Sequence, residues 1–326
     1  MATIISPDEF SALTINEMVN DHNIINPAFG IVKFGLNSIP IKGGEKFSIR
    51  FQNALSADDL QHITNNATTT SPVFKNQKKV DVVGIQEQLY IGETFFDTTI
   101  TGVNTLESQF KTQYARVIVM GMQKYLIAGI KGAFSATSAS PFKTSITGWG
   151  EGNITLGALM KIKAQAWEHK DKSLLKALIV HSEVYADLLG QTAIEYKTDP
   201  FGANAAITGS IPMLGGLAII ENSTIAAKFD NAGTANFHSY IVGANALQVD
   251  VQRESEIYRG RTPGKSGGES TLDASTAFYA TVANASWKGA SGDSPDATAY
   301  ELGTNWEWIY FDPEEVLIHQ ITSEVL

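Results

Sequence analysis

Cysteine is absent from the 326-residue chain. That excludes disulfides, thiolate metal sites, iron–sulfur clusters and a cysteine nucleophile, and it fits synthesis in a reducing compartment. Basic residues are also few: 24 Lys plus Arg against 34 Asp plus Glu give a net charge of −10. A protein that grips DNA by neutralising phosphates carries the opposite balance. An acidic surface can face nucleic acid only as a wall that does not hold it. No stretch approaches ~20 apolar residues, so no membrane span is expected. The N-terminal MATIISPDEFSALTINEM has acids and no basic region before an apolar core, so no secretory leader is expected. The chain reads as a soluble product of the cytosol.

Glycine, by contrast, is plentiful, with 28 residues against 10 prolines, which predicts many turns and close backbone approaches. The 43% hydrophobic fraction is enough for a core or two, and two compact regions are expected from the length. Residues 1–36 read as an arm with a helix start at Ser6–Pro7. From Ser38 the period changes. Phe47, Ile49 and Phe51 alternate with Ser48, Arg50 and Gln52, and a second strand-like run covers 78–92. The polar segment between them exceeds twenty residues, a length found in functional or partner-bound loops. A long two-stranded projection cannot stabilise itself, so it is expected to lie on something, with a second subunit the obvious candidate.

Residues 104–131 carry apolar side chains at helical spacing, with Asn104 and Glu107 placed as a capping box, and predict a rod of about 40 Å. A helix near 155–170, a buried strand at 177–180, a helix from an Ser182 cap to Leu189 and a buried strand at 217–220 follow, as in an α/β region over 155–245. The last third is rich in strands. Leu247, Val249 and Val251 alternate with polar residues, and NWEWIYF has apolar side chains on both faces, so both must be covered.

Motifs for chemistry are weak. Arg259–Gly267, RGRTPGKSG, contains Gly-x-x-x-Gly-Lys-Ser, one residue short of a phosphate loop. Its following glycines deny the helix N-terminus on which a phosphate would sit, so Lys265 and Ser266 belong to a loop between strands. The six histidines are scattered, and Glu314, Glu315 and His319 lack a fourth ligand for a metal. His181–Ser182 lacks a nucleophile elbow, so Ser182 reads as a helix cap. Asp58–Asp59 reads as solvated charge, and the Asn-x-Ser/Thr triplets at Asn66, Asn153, Asn222 and Asn284 carry no meaning without secretion. No catalytic, cofactor or metal site is expected.

The order of parts is the informative feature. An arm, a long two-stranded loop, a long helix, an α/β middle and late strands resemble the major capsid proteins of tailed bacteriophages, the HK97-like fold. KALIVHSEVYADLL is similar to that family's strand-then-helix, and IPMLGGLAIIENSTI followed by HSYIVGANALQVDVQRE to its later strand passage. The likeness spans most of residues 30–290. It implies an α+β fold with an N-terminal arm (1–37), an extended β-hairpin loop (38–100), a peripheral domain with a spine helix (101–154 and 246–299) and an axial domain (155–245 and 300–326).

The resemblance further implies a major capsid protein that assembles into hexamers and pentamers of an icosahedral head enclosing double-stranded DNA. Its partners would be copies of itself, a separate scaffold protein, a portal and a decoration protein, with assembly in the bacterial cytoplasm. The Lys–Asn pair that cross-links some members has no match here. An encapsulin-type compartment holding a cargo enzyme is the alternative on the same fold, and a nucleotide-binding enzyme the alternative of another class.

Overall fold

Period-two segments become strands and the long period-3.6 segment becomes a helix. The computed structural model describes residues 24–25, 29–34, 44–52, 77–94, 103–149, 152–191, 194–197, 211–231, 234–253, 257–262 and 269–324. The segment 1–23, the tip of the expected loop at 53–76 and the Lys265–Ser266 loop lie outside them.

After a short strand β1 (Val32–Phe34), β2 (Lys46–Gln52) and β3 (Gln77–Val83) pair antiparallel, Lys46 opposite Val83 and Gln52 opposite Gln77. Among the described residues neither pairs with any further strand. The run expected over 78–92 is broken at Gly84. Beyond it β4 (Ile85–Thr94) leaves the hairpin and joins another sheet.

Helix α1 (Val103–Ser135) is longer than the spacing predicts, about 50 Å at 1.5 Å per residue. It starts one residue before Asn104, which therefore lies in the first turn and not before it. Tyr114, Ile118, Met122, Tyr125 and Leu126 follow the 3–4 spacing and are buried. The part Gln113–Ser135 is long and apolar enough to cross a membrane, yet 67% of its most apolar window is buried inside the protein, as befits a core helix. A 3-10 turn containing Pro141 ends it before β5 (Lys143–Ser145).

The middle of the chain alternates helix and strand as expected as far as Leu189, and among the described residues five strands then follow in succession. In order come α2 (Leu156–Ala166), β6 (Leu175–Val180), α3 (Ser182–Leu189), β7 (Glu195–Lys197), β8 (Ile211–Leu214), β9 (Leu217–Glu221), β10 (Lys228–Asn231) and β11 (Thr234–Gly243). Thr155 caps α2, its Oγ1 accepting from Ala158 N–H at 3.1 Å. At α3 the expected cap is displaced by one residue. His181 Nδ1 accepts from Glu183 N–H at 3.2 Å, so His181 is the cap and Ser182 the first helical residue.

The late strands are β12 (Leu247–Arg253), β13 (Ile257–Thr262), β14 (Glu269–Val282) and β15 (Ala285–Trp287). A short helix α4 (Ala297–Glu301) precedes β16 (Trp306–Trp308) and β17 (Ile318–Glu324). One sheet runs β1-β12-β14-β13 with β4 also on β14. The other runs β5-β17-β11-β6-β9-β8-β7 with β10 beside β11. Strands β6 and β9 are parallel, and nearly every residue of each is buried, as expected where both faces are covered.

Among the described residues three apolar clusters form. The largest joins α1 to the β12–β14 sheet and to Trp287, Tyr300, Trp306 and Trp308. The second packs α2 and α3 on the β6–β9–β11 sheet. The third is small: Val80, Val82 and Tyr279, with Phe47, Ile49 and Ile309 against them at the base of the hairpin.

Candidate assembly surfaces

The hairpin meets the rest of the molecule at its elbow and along β14 and β15. At the elbow Gly44 N–H donates to Gly84 C=O at 2.8 Å and Gly84 N–H to Glu45 C=O at 2.9 Å. Gly44 has φ +79°, and its carbonyl accepts from Gly292 N–H at 3.0 Å. A left-handed residue in so close an approach must be glycine. Further out, Asp81 N–H donates to Ser286 Oγ at 3.0 Å, and the Phe47 ring meets Tyr279 edge-on at 5.4 Å. Lys46 donates to Gly289 C=O and Lys78 to Tyr310 C=O. Val80 and Val82 belong to the small apolar cluster beneath it and Val83 to the largest one, so the element is anchored at its elbow end, while two strands alone give little stability beyond that.

A second surface lies along α1. Val117 and Met120 are 44% and 54% exposed, beside a groove of about 360 Å³ between the helix and β4. Glu87 lies on its strand side and Lys124 on its helix side. Tyr125 donates to Glu87 at 2.6 Å, and burial, then this carboxylate, raises the phenol well above its ordinary range.

The residues with chemical promise in the sequence are dispersed. Lys265 and Ser266 lie outside the described residues, but Thr262 of β13 pairs with Glu269 of β14, so strands flank the loop on both sides. A phosphate loop needs a helix after it. Glu314 pairs with exposed His169 at 3.0 Å, raising the imidazole, whereas buried His319 Nε2 sits 2.8 Å from Thr144 Oγ1. The two are thus separately engaged. Among the described residues no group of three or more His, Asp or Glu could hold a metal ion. Asn153 donates to Asp187, Asn222 caps Thr224 and Ile225, and Asn284 takes φ +67° in the β14–β15 turn. Asp58, Asp59 and Asn66 lie outside the described residues.

Gly44, Gly84, Lys46, Lys78 and Ser286 were not singled out by the sequence. A glycine inside a strand-like run signals a bend, and Gly84 within KKVDVVGIQEQLYIG carried that signal.

Burial gives the protein an acid-sensitive element. His319 is pulled down to about 4 by desolvation, and so is His238, with nearby Lys143 adding to the effect. A folded-state value below the unfolded one means that only the unfolded chain takes up a proton as pH falls from about 6.5. Stability is therefore full above that pH, declines toward pH 4 and levels off below it. For His319 the full loss is about 3 kcal/mol at ~1.4 kcal/mol per unit. Denaturant unfolding from pH 7.5 to 4 should show this slope, and His319→Gln should remove about half of it, His238 supplying the rest. An equal slope in the variant would refute the assignment.

Solved phage capsid structures share this arrangement. The capsid of Ralstonia phage GP4 aligns with a TM-score of 0.54 at 9% identity, over 91% of this chain and 87% of that one. The Cyanophage Pam1 capsid asymmetric unit aligns at 0.52 and 9%, over 90% and 91%. The head structure of Helicobacter pylori bacteriophage KHP40 aligns at 0.50 and 10%, over 92% and 90%. At such identity the likeness defines the fold: α+β, HK97-like. No curated protein matches the sequence. The family model described as Gp13-like, major capsid protein 13-like, matches residues 40–313, and the chain belongs to that family. It is a major capsid protein, a self-assembling structural component of the virion and not an enzyme.

Proposed function

We propose that this chain forms the hexamers and pentamers of an icosahedral head enclosing double-stranded DNA. In this reading 1–37 is the arm, 38–100 the extended loop, 101–154 with 246–299 the peripheral domain around spine helix α1, and 155–245 with 300–326 the axial domain. The carrying observation is the β2–β3 hairpin, which pairs with no strand but itself among the described residues and is anchored at its base by a small apolar cluster and by Val83 in the largest one. Such an element gains stability when a neighbouring copy covers it, and many interfaces of about 1,000 Å² or more add up to a firm shell. The net charge of −10 suits a wall that confines DNA without binding it, as like charges repel at close range. A scaffold protein, a portal and a decoration protein are the further partners, and assembly takes place in the bacterial cytoplasm.

Negative-stain electron microscopy of purified protein tests this. Closed shells, rings or tubes are expected, and particles from infected cells should hold nuclease-protected DNA. Monomers that never associate at high concentration, or shells filled with protein cargo, would overturn it.

A further inference from the structure

A groove of about 640 Å³ separates the hairpin from the β15–β16 ribbon. Lys46, Lys78 and Lys79 line it from the hairpin and Lys288 from the ribbon, with Asp81 and Glu307 as its acids. Four lysines against two carboxylates leave a surplus of two positive charges, in a chain whose net charge is −10.

The acids are engaged locally. Lys79 Nζ lies 3.4 Å from Asp81 and Lys288 Nζ 3.3 Å from Glu307. Among the described residues no carboxylate pairs with Lys46 or Lys78. Both are half-buried and donate to the backbone carbonyls of Gly289 and Tyr310, and Lys78 lies 4.7 Å from the centre of the Phe311 ring. A carbonyl accepts a proton of an ammonium group but cancels none of its charge. Two anchored cations without a counter-charge, between walls from two elements, form a seat for an anion.

We propose that this groove receives a carboxylate-bearing segment of a second copy of the chain when the shell assembles. The inference rests on the self-assembly reading above. Copies that each carry ten negative charges repel at long range, and a positive groove gives them one favoured register. A carboxylate seated there touches hairpin and ribbon together, fixing the hairpin's angle at the moment of contact. Duplex DNA is the weaker match, because a surplus of two charges is small beside the roughly 6–10 phosphates that DNA-binding surfaces neutralise.

Zero-length carbodiimide coupling tests the proposal. Particles assembled without nucleic acid from mixed isotopically light and heavy chains should give heavy–light peptides joining Lys46, Lys78, Lys79 or Lys288 to an Asp or Glu. The double variant Lys79→Gln/Lys288→Gln changes two exposed side chains and removes the surplus. It should slow assembly at low salt about tenfold and leave subunit melting unchanged. Coupling confined to one chain, or a double variant that assembles at the normal rate, would overturn the groove while leaving self-assembly intact. A wild-type chain that forms no particles overturns both.

Discussion

Gly132→Ala should lower the stability of the subunit by about 3–5 kcal/mol, roughly a 10 °C fall in melting temperature. A Cβ at Gly132 would lie 2.3 Å from Tyr300 C=O and 2.4 Å from Trp306 Nε1. Those two atoms are hydrogen-bonded to each other at 2.7 Å, so the methyl group would enter the bond itself. Neither partner has an easy retreat. The Tyr300 hydroxyl donates to Ala280 C=O at 2.7 Å, and its ring packs against Trp287 at 5.0 Å and Trp306 at 4.8 Å. Relief would leave a buried indole N–H unpaired and open the largest apolar cluster where α4 and β16 cross α1.

The opposite sign is expected eleven residues earlier in the same helix. A Cβ at Gly121 meets nothing within 4 Å, so Gly121→Ala should gain up to about 1 kcal/mol from helix propensity alone. Denaturant unfolding of the two variants side by side is the measurement. Equal effects would show that the close crossing at Gly132 does not exist.

The two glycines look alike in the sequence, which marks the limit of what periodicity conveys. Elements whose signal is local were legible. Leu247 and Val249 alternate with Gln248 and are buried, and α1 follows its 3–4 spacing. Glycine roles were not, because they depend on which distant segment comes close. NWEWIYF reads as one strand, yet only Trp306–Trp308 pairs. Trp308 turns to α1, donating to Ala133 C=O at 2.8 Å, whereas Ile309 joins the hairpin cluster, so both faces are indeed covered. The elbow contacts span far larger separations: Lys78 and Tyr310 are 232 residues apart, and no pattern within either segment announces the other. The partnership of β4 with β14 is equally remote in sequence, and it was not foreseen: 78–92 read as one strand of the extended loop. His181 displaced Ser182 as cap because an imidazole nitrogen served as acceptor where a hydroxyl was expected.

Gly44→Ala should detach the hairpin base and cut particle yield at least about tenfold while the body of the subunit melts within about 2 °C of normal. The residue combines both reasons for glycine. Its φ of +79° disfavours any side chain, and a Cβ there would lie 2.5 Å from Asp293 C, which is backbone and cannot rotate away. Separation breaks the bond from Gly292 to Gly44 and loosens the pair between Gly44 and Gly84. The remaining attachments, a small apolar cluster, Val83 at the margin of the largest one and a few polar contacts, are slight for a two-stranded ribbon. Val83 and Ile85 beside Gly84 sit at the margin of the largest cluster, most of whose other members lie on α1 and the late strands, so both large clusters should persist. Gly216→Ala separates the two causes. That turn has φ +82° but nothing within 4 Å of a new Cβ, so only backbone strain of about 1 kcal/mol is expected and particles should still form. Hydrogen exchange should quicken at amides of 46–52 and 77–83 in Gly44→Ala alone. If those amides stay protected and shells form at the usual yield, the elbow is not what carries the hairpin.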